Sequence, residues 1–146
     1  MEKSPKNYDV LIIGAGPAGA NAAISYKNLN PNLTVGLVDK AIFPRDKSCG
    51  DAIGPGVISA LKRFNNEHIL DGEPQVVSTT LYGPDNIGIQ NYIPEVKNKE
   101  DSIVYVIPRV DLDNRILDLA KECGVDVYEG YSSVSYTHLT LPTMMS

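Results

Sequence analysis

An α/β fold is predicted for this chain, with a parallel sheet at its centre and part of a small antiparallel sheet attached to it. Three observations carry the prediction. A β-branched apolar run, Tyr8-Asp9-Val10-Leu11-Ile12-Ile13, leads directly into Gly14-Ala15-Gly16-Pro17-Ala18-Gly19. An alanine-rich stretch of helical character follows, and then a second apolar run from Leu33 to Val38. Further on, short alternating segments stand between helical ones. A strand, a crossover helix and a second strand in this order form a βαβ unit, which joins parallel strands.

The first apolar run is nearly continuous, the pattern of a central strand buried on both faces. Each glycine after it has a separate task. Gly14 makes the tight turn, Gly16 lets backbone approach a pyrophosphate, and Gly19 lets the helix pack closely on the strand. The helix is expected over Ala18 to Leu29, where Ala18, Ala20, Ala22 and Ala23 favour helix and present a shallow face to the sheet. Its free N-terminal N–H groups and its dipole would face phosphate. Pro31 marks the exit, and Leu33-Thr34-Val35-Gly36-Leu37-Val38 is the second parallel strand. Asp39 follows at its carboxyl end, 20 residues after Gly19, the spacing at which a carboxylate accepts hydrogen bonds from an adenosine ribose. A 2′-phosphate there would meet like charge, so FAD or NAD is favoured over NADP. Pro17 and Ala18 inside the glycine motif are typical of flavoproteins and tilt the balance to FAD. The unit is therefore a Rossmann-like, FAD-type dinucleotide-binding βαβ.

The segment from Lys40 to Pro55 is a loop punctuated by Pro44, Gly50, Gly54 and Pro55. Arg45 sits just beyond the ribose-binding strand, where a guanidinium could make charge-assisted bonds to phosphates. Gly50, between Cys49 and Asp51, allows backbone to approach a flat ring, and Asp51 alternatively stabilises the loop through its own backbone bonds. From Gly56 onward Val57, Ile58, Leu61 and Phe64 recur at helical spacing, with Lys62 and Arg63 opposite, which describes a packing helix. Between Val76 and Ile93, short stretches such as Val76 to Tyr82 are broken by Gly83-Pro84-Asp85-Asn86, the pattern of a small antiparallel sheet. Tyr82 and Tyr92 would be core residues there, or line a ring face. Ser102 to Ile107 alternates like a strand. After Pro108-Arg109, Asp111 is placed to cap a helix whose buried face holds Leu112, Ile116, Leu119, Ala120 and Cys123 and which Gly124 stops. Val125-Asp126-Val127-Tyr128 is the next parallel strand, expected beside the ribose-binding one.

Two stretches carry a family resemblance. Phe43-Pro44-Arg45-Asp46-Lys47-Ser48-Cys49-Gly50-Asp51 resembles the F-P-R-D-K-x-C-G-D signature of the geranylgeranyl reductase family, within the flavoprotein group that also holds aromatic hydroxylases and flavin-dependent halogenases. Pro108-Arg109-Val110-Asp111-Leu112-Asp113 resembles the group's R-x-x-L-D-x-x-L helix start, and together the likeness covers roughly residues 7–132. The resemblance implies an FAD-dependent oxidoreductase that reduces isoprenoid double bonds by hydride transfer, with NAD(P)H or another reductant as electron donor. It places the Cys49 loop along the isoalloxazine and Arg109 near the flavin nucleotide. Cofactor contacts are then expected at Gly14, Gly16, Pro17, Ala18, Gly19, Asp39, Lys40, Arg45, Cys49, Gly50, Asp51 and Arg109. Cys49 is the candidate catalytic residue, either tuning the flavin or delivering a proton to the alkene; the alternative is a small inert thiol. The substrate expected is a small molecule, in particular a prenyl lipid. The competing activities are an aromatic monooxygenase or halogenase of the same group, and a nicotinamide-only dehydrogenase.

Charge and cysteine content narrow the remaining classes. A net charge of −5 gives no basic face for nucleic acid or anionic lipid. The two cysteines, Cys49 and Cys123, form no C-x-x-C pair and no metal-ligand spacing with His68 or His138, so no metal is expected and a reduced, cytoplasmic setting is the simplest reading. No signal peptide or transmembrane segment is expected, which leaves peripheral membrane contact open. The last residues change character. Val134-Ser135-Tyr136-Thr137-His138-Leu139-Thr140-Leu141-Pro142-Thr143 resembles the in-frame translation of a transposon-end sequencing adapter. The expected organisation is thus a partial FAD-binding domain over 1–133, interrupted at about 70–100 by the start of a substrate region, with 134–146 a non-native tail. Such a chain is expected to be an incomplete and inactive piece of the enzyme, since later segments would supply the walls that exclude water and hold the substrate.

Overall fold

The computed structural model describes residues 7–92 and 104–133. The adapter-like tail and the stretch from 93 to 103 lie outside the described residues. Strand β1 (Val10–Ile13), helix α1 (Pro17–Leu29) and strand β2 (Val35–Asp39) follow one another as the expected βαβ unit. Next come β3 (Ala52–Ile53), α2 (Pro55–Lys62), the hairpin strands β4 (Ser78–Tyr82) and β5 (Gly88–Tyr92), β6 (Tyr105–Val106), α3 (Arg109–Glu122) and β7 (Asp126–Glu129). The described residues form three sheets. The main one has the order β1-β2-β7 and is wholly parallel, with Val10 opposite Val35 and Gly36 opposite Asp126. β3 pairs antiparallel with β6, and β4 with β5.

Helix α1 packs on β1, on β2 and against α3. Ala20, Ala23 and Ile24 of α1, Val35 and Leu37 of β2, and Leu112, Ile116, Leu117, Leu119 and Ala120 of α3 belong to one buried cluster. The alanines explain the close fit, since a helix face without long side chains can lie tight on a strand. Gly19 is the extreme case: a Cβ there would stand 1.8 Å from the Gly14 carbonyl oxygen. At the far end of α3, Gly124 takes φ +82° and turns the chain into β7, as a helix-stopping glycine does.

Four expectations need correction. β1 is an edge among the described strands, not the central one, and it alternates: Val10 and Ile12 face the core while Leu11 is 55% and Ile13 60% exposed. Its apolar run reflects a second face that nothing in the described residues covers. Asp111 is not the cap of α3, because the helix starts two residues earlier with Pro108 in the cap position. Proline holds the φ that a helix start accepts and has no N–H to lose, and the cap arrives from another segment, described below. Tyr82 is not a core residue, since the hairpin holds it 71% exposed; the Tyr92 side chain is outside the described ones. Val57 belongs to the open side of α2, which buries Ile58 and Leu61 instead.

The bare face of β1 makes a prediction. Leu11→Thr puts a polar, β-branched strand former at an exposed site, so urea unfolding should shift by no more than about 0.5 kcal/mol. A loss of 2 kcal/mol or more would mean that this face is covered.

Candidate functional site

The site begins where β1 ends. Gly14 adopts φ +103° and donates its N–H to the Val38 carbonyl at 2.7 Å, which bends the chain across the tip of β2. Gly16 caps α1 with no side-chain bond to the helix, and Pro17 opens the first turn. The N–H groups of that turn have no partner within the helix and carry the positive end of its dipole.

Asp39, the last residue of β2, stands beside this turn. Its Oδ2 accepts the Ala15 N–H at 2.7 Å and its Oδ1 accepts the Ala41 N–H at 2.8 Å. Sequence spacing assigned this carboxylate to a ribose alone, but it also clamps the glycine loop to the end of the strand. Each oxygen keeps a second lone pair for a hydroxyl donor. Lys40 lines the same end of the site.

Arg45 returns to the glycine loop from the segment after β2. Phe43 lies beneath its guanidinium at 4.8 Å, a cation–π contact that helps to fix the side chain. One guanidinium nitrogen stands 3.3 Å from the position a Cβ would take on Gly16, so the charge sits directly over the N-terminus of α1. Two positive features in contact repel unless an anion lies between them. Arg45 Nη1 is also buried without a hydrogen-bond partner, although Asp113 Oδ2 lies 3.2 Å away. A guanidinium nitrogen, Nη2, held over a helix N-terminus suits a phosphate group.

Arg109 reaches the site from the first turn of α3. Its Nε donates to Asp113 Oδ1 at 2.6 Å and its Nη2 to Asp113 Oδ2 at 2.8 Å, a two-pronged bond between residues one helical turn apart. Asp113 is fully buried. In sequence it is one acid of a helix motif; the signal that sets it apart is its i, i+4 spacing from an arginine on the buried side of the helix.

Asp51 supplies the missing cap. Held at φ +55°, it accepts the Arg109 N–H on Oδ1 at 3.3 Å and the Ile107 N–H on its carbonyl at 3.0 Å. The Cys49-Gly50-Asp51 loop is thereby pinned to the start of α3. Cys49 is exposed, and the Asp51 N–H, followed by the Arg109 guanidinium, holds its thiol below the ordinary range. Gly50 faces open space, with nothing within 4 Å of a Cβ built on it.

Three adjoining clefts join these residues into one groove. The first, about 340 Å³, is lined by Ile13, Gly14, Asp39, Lys40 and Tyr131. The second, about 400 Å³, shares Gly14 and Asp39 with it and adds Gly16, Gly19, Arg45 and Arg109. The third, about 340 Å³ and more apolar, shares Pro17, Ala18 and Arg109 and adds Cys49, Asp51, Val57 and Ile107. An acidic group, a cationic waist over a helix N-terminus and a thiol in a greasier recess therefore follow one another.

The cysteines should differ in reactivity. A lowered thiol holds more thiolate at a given pH, and thiolate is the nucleophile, whereas burial pushes Cys123 up. Alkylation of Cys49 by iodoacetamide should rise through a midpoint below about 8.5, the value of a free thiol. At pH 7 it should outpace alkylation of Cys123, the two thiols being shifted in opposite directions. Peptide mass spectrometry reads both sites. Equal rates would remove Arg109 and the Asp51 N–H as activators.

No family model matches the chain. It is similar to the menaquinone reductase of Mycolicibacterium smegmatis, with 33% identity over 130 residues, 89% of this chain and 31% of that protein. Among solved structures it is similar to CmlS, a flavin-dependent halogenase, with a TM-score of 0.70 and 26% identity over 87% of this chain and 23% of the other. A geranylgeranyl bacteriochlorophyll reductase-like protein from Thermoplasma acidophilum superposes with a TM-score of 0.67 and 25% identity, covering 84% of this chain and 30% of that one. The chain spans about a third of the length of the curated relatives it matches.

Proposed function

We propose, from the chain's membership of the flavoprotein group that holds geranylgeranyl reductases and flavin-dependent halogenases, that it carries the ADP-binding half of an FAD site in an isoprenoid double-bond reductase. The observation that carries this reading is the continuous groove with Asp39 at one end, Arg45 and Arg109 over the start of α1 in the middle, and Cys49 at the other end. Two features support it: Arg45 Nη2 over Gly16, and the helix N–H groups of the first turn of α1, which suit a pyrophosphate.

In this reading Asp39 receives the ribose hydroxyls, with Lys40 at its flank. The Gly14-to-Gly19 turn, Pro17 and Ala18 included, admits the pyrophosphate, which Arg45 and Arg109 neutralise. Bound FAD, once reduced by NAD(P)H or another donor, supplies the hydride. Cys49 Sγ is the proton source at that end of the groove, or a group that tunes the ring; the Asp51 N–H and Arg109 favour the thiolate left behind by proton loss. Asp51 and Gly50 shape the loop on which the thiol is carried. The substrate class is a prenyl lipid, and residues 1–133 form the native part of a cytoplasmic enzyme whose substrate region begins near residue 70. No helix among the described residues is long and apolar enough to cross a membrane.

The second reading, an aromatic monooxygenase or halogenase, is favoured by the likeness to CmlS. An assay of the uninterrupted reading frame separates the two. Saturation of a geranylgeranyl chain under anaerobic conditions with a reduced donor supports the reductase, and oxygen-dependent hydroxylation or halogenation of an aromatic ring overturns it.

A further inference from the structure

We infer that Asp113 is a positioning residue for phosphate recognition: it holds the Arg109 guanidinium at a fixed spacing from that of Arg45, which stands over the N-terminus of α1, the two coming from separate segments. This deepens the proposed function and rests on it.

The geometry supports a shared anchor. Asp113 is fully buried on α3, bonds Arg109 through both oxygens at 2.6 and 2.8 Å, and lies 3.2 Å from Arg45 Nη1. Arg45 Nη1 is off the line for a hydrogen bond to that carboxylate, so the contact is electrostatic and the N–H remains unspent. The two arginines are only slightly exposed, at 20% and 17%. Without the carboxylate, two like charges would face one another beside the positive end of a helix and would swing apart. Helix α1 packs directly against α3, so the anchor also ties the spacing of the arginines to the helix whose N–H groups they complement.

Charge alone predicts the opposite of positioning. Two guanidiniums and one carboxylate sum to a single positive charge, and Asp113→Asn would raise that to two, which by Coulomb attraction strengthens binding of a polyanion. If the carboxylate instead holds the donors in place, the same change weakens binding. Pre-organised donors outperform loose ones because the ordering cost is already met.

The test is binding of ADP, AMP and FAD to the whole 146-residue chain, followed by ligand-observed NMR and flavin fluorescence, for wild type and Asp113→Asn. Positioning predicts a tenfold or greater loss of ADP and FAD affinity with a smaller loss for AMP, so that discrimination by the second phosphate falls. General loosening of the fold would lower ADP and AMP alike and would overturn the inference. Equal or tighter ADP binding by the variant would overturn it too while leaving the FAD reading intact; absence of ADP and FAD binding by wild type would defeat that reading itself. Should Asp113→Asn fail to fold, Arg109→Lys decides the matter, because lysine keeps the charge but cannot bond both carboxylate oxygens. Positioning predicts that Arg109→Lys loses nearly as much affinity as Arg109→Gln, and affinity close to wild type in Arg109→Lys would contradict it.

Discussion

Gly19→Ala is expected to destabilise the chain by about 2–3 kcal/mol and to abolish measurable FAD binding. Helix propensity alone argues the other way, since alanine gains about 1 kcal/mol over glycine inside a helix. The new methyl, however, would lie 1.8 Å from the Gly14 carbonyl oxygen and 3.0 Å from its carbon, which are backbone atoms and cannot rotate away. Helix and loop must separate, and overpacking of that kind costs about 1–3 kcal/mol or more. The separation also moves the α1 N–H groups from the groove. Thermal unfolding should register a fall of roughly 4–12 °C in Tm for a chain of this size. Gly56→Ala is the control: it lies in α2 with nothing within 4 Å of the added atom, so it should be neutral or slightly stabilising. Similar losses in both variants would remove the close approach as the cause.

Asp39→Ala should cost about a hundredfold in ADP and FAD affinity. On the proposed function, one part is the loss of a carboxylate acceptor for the ribose hydroxyls, where a hydrogen bond to a charged group contributes about 1.5–3 kcal/mol. The other is release of Ala15 and Ala41, whose N–H groups now end on this carboxylate at 2.7 and 2.8 Å. Freed of that clamp, the glycine loop meets the ligand less well ordered. Asp39→Asn should fall between the two, because the amide keeps one oxygen as acceptor but turns a donor toward a backbone donor. Isothermal titration with ADP compares the three proteins. An Asp39→Ala chain that binds ADP as wild type does would remove this residue from the site.

The βαβ unit was legible because its constraints are local. Strand period, three glycines, alanine-rich helix and terminal acid all lie within the first 39 residues, and each answers to backbone geometry. Parallel placement of Asp126–Glu129 beside β2 was legible too, since a strand–helix–strand succession leaves few alternatives. What escaped depends on contacts between distant segments. Asp51 capping α3, from 58 positions away, has no sequence signature, and Asp111 offered a plausible local cap that Pro108 made unnecessary. Asp113 read as one acid in a helix motif; only folding brings Arg45 to it. Leu11 and Ile13 read as buried because hydrophobicity reports what a face is suited to cover, not whether a partner is among the described residues. The thiol of Cys49 was read as ambiguous, and its environment became visible only with the Asp51 N–H and Arg109 beside it.

Titration of the chain with FAD, FMN and ADP, read by flavin fluorescence and by competition, shows which half of a flavin nucleotide the groove takes. On the proposed function the groove takes the adenosine and pyrophosphate half of the cofactor. FAD should therefore bind, ADP should displace it, and FMN, which lacks that half, should bind at least tenfold more weakly. FMN binding as tightly as FAD, or FAD that ADP cannot displace, would rule out an ADP-binding groove.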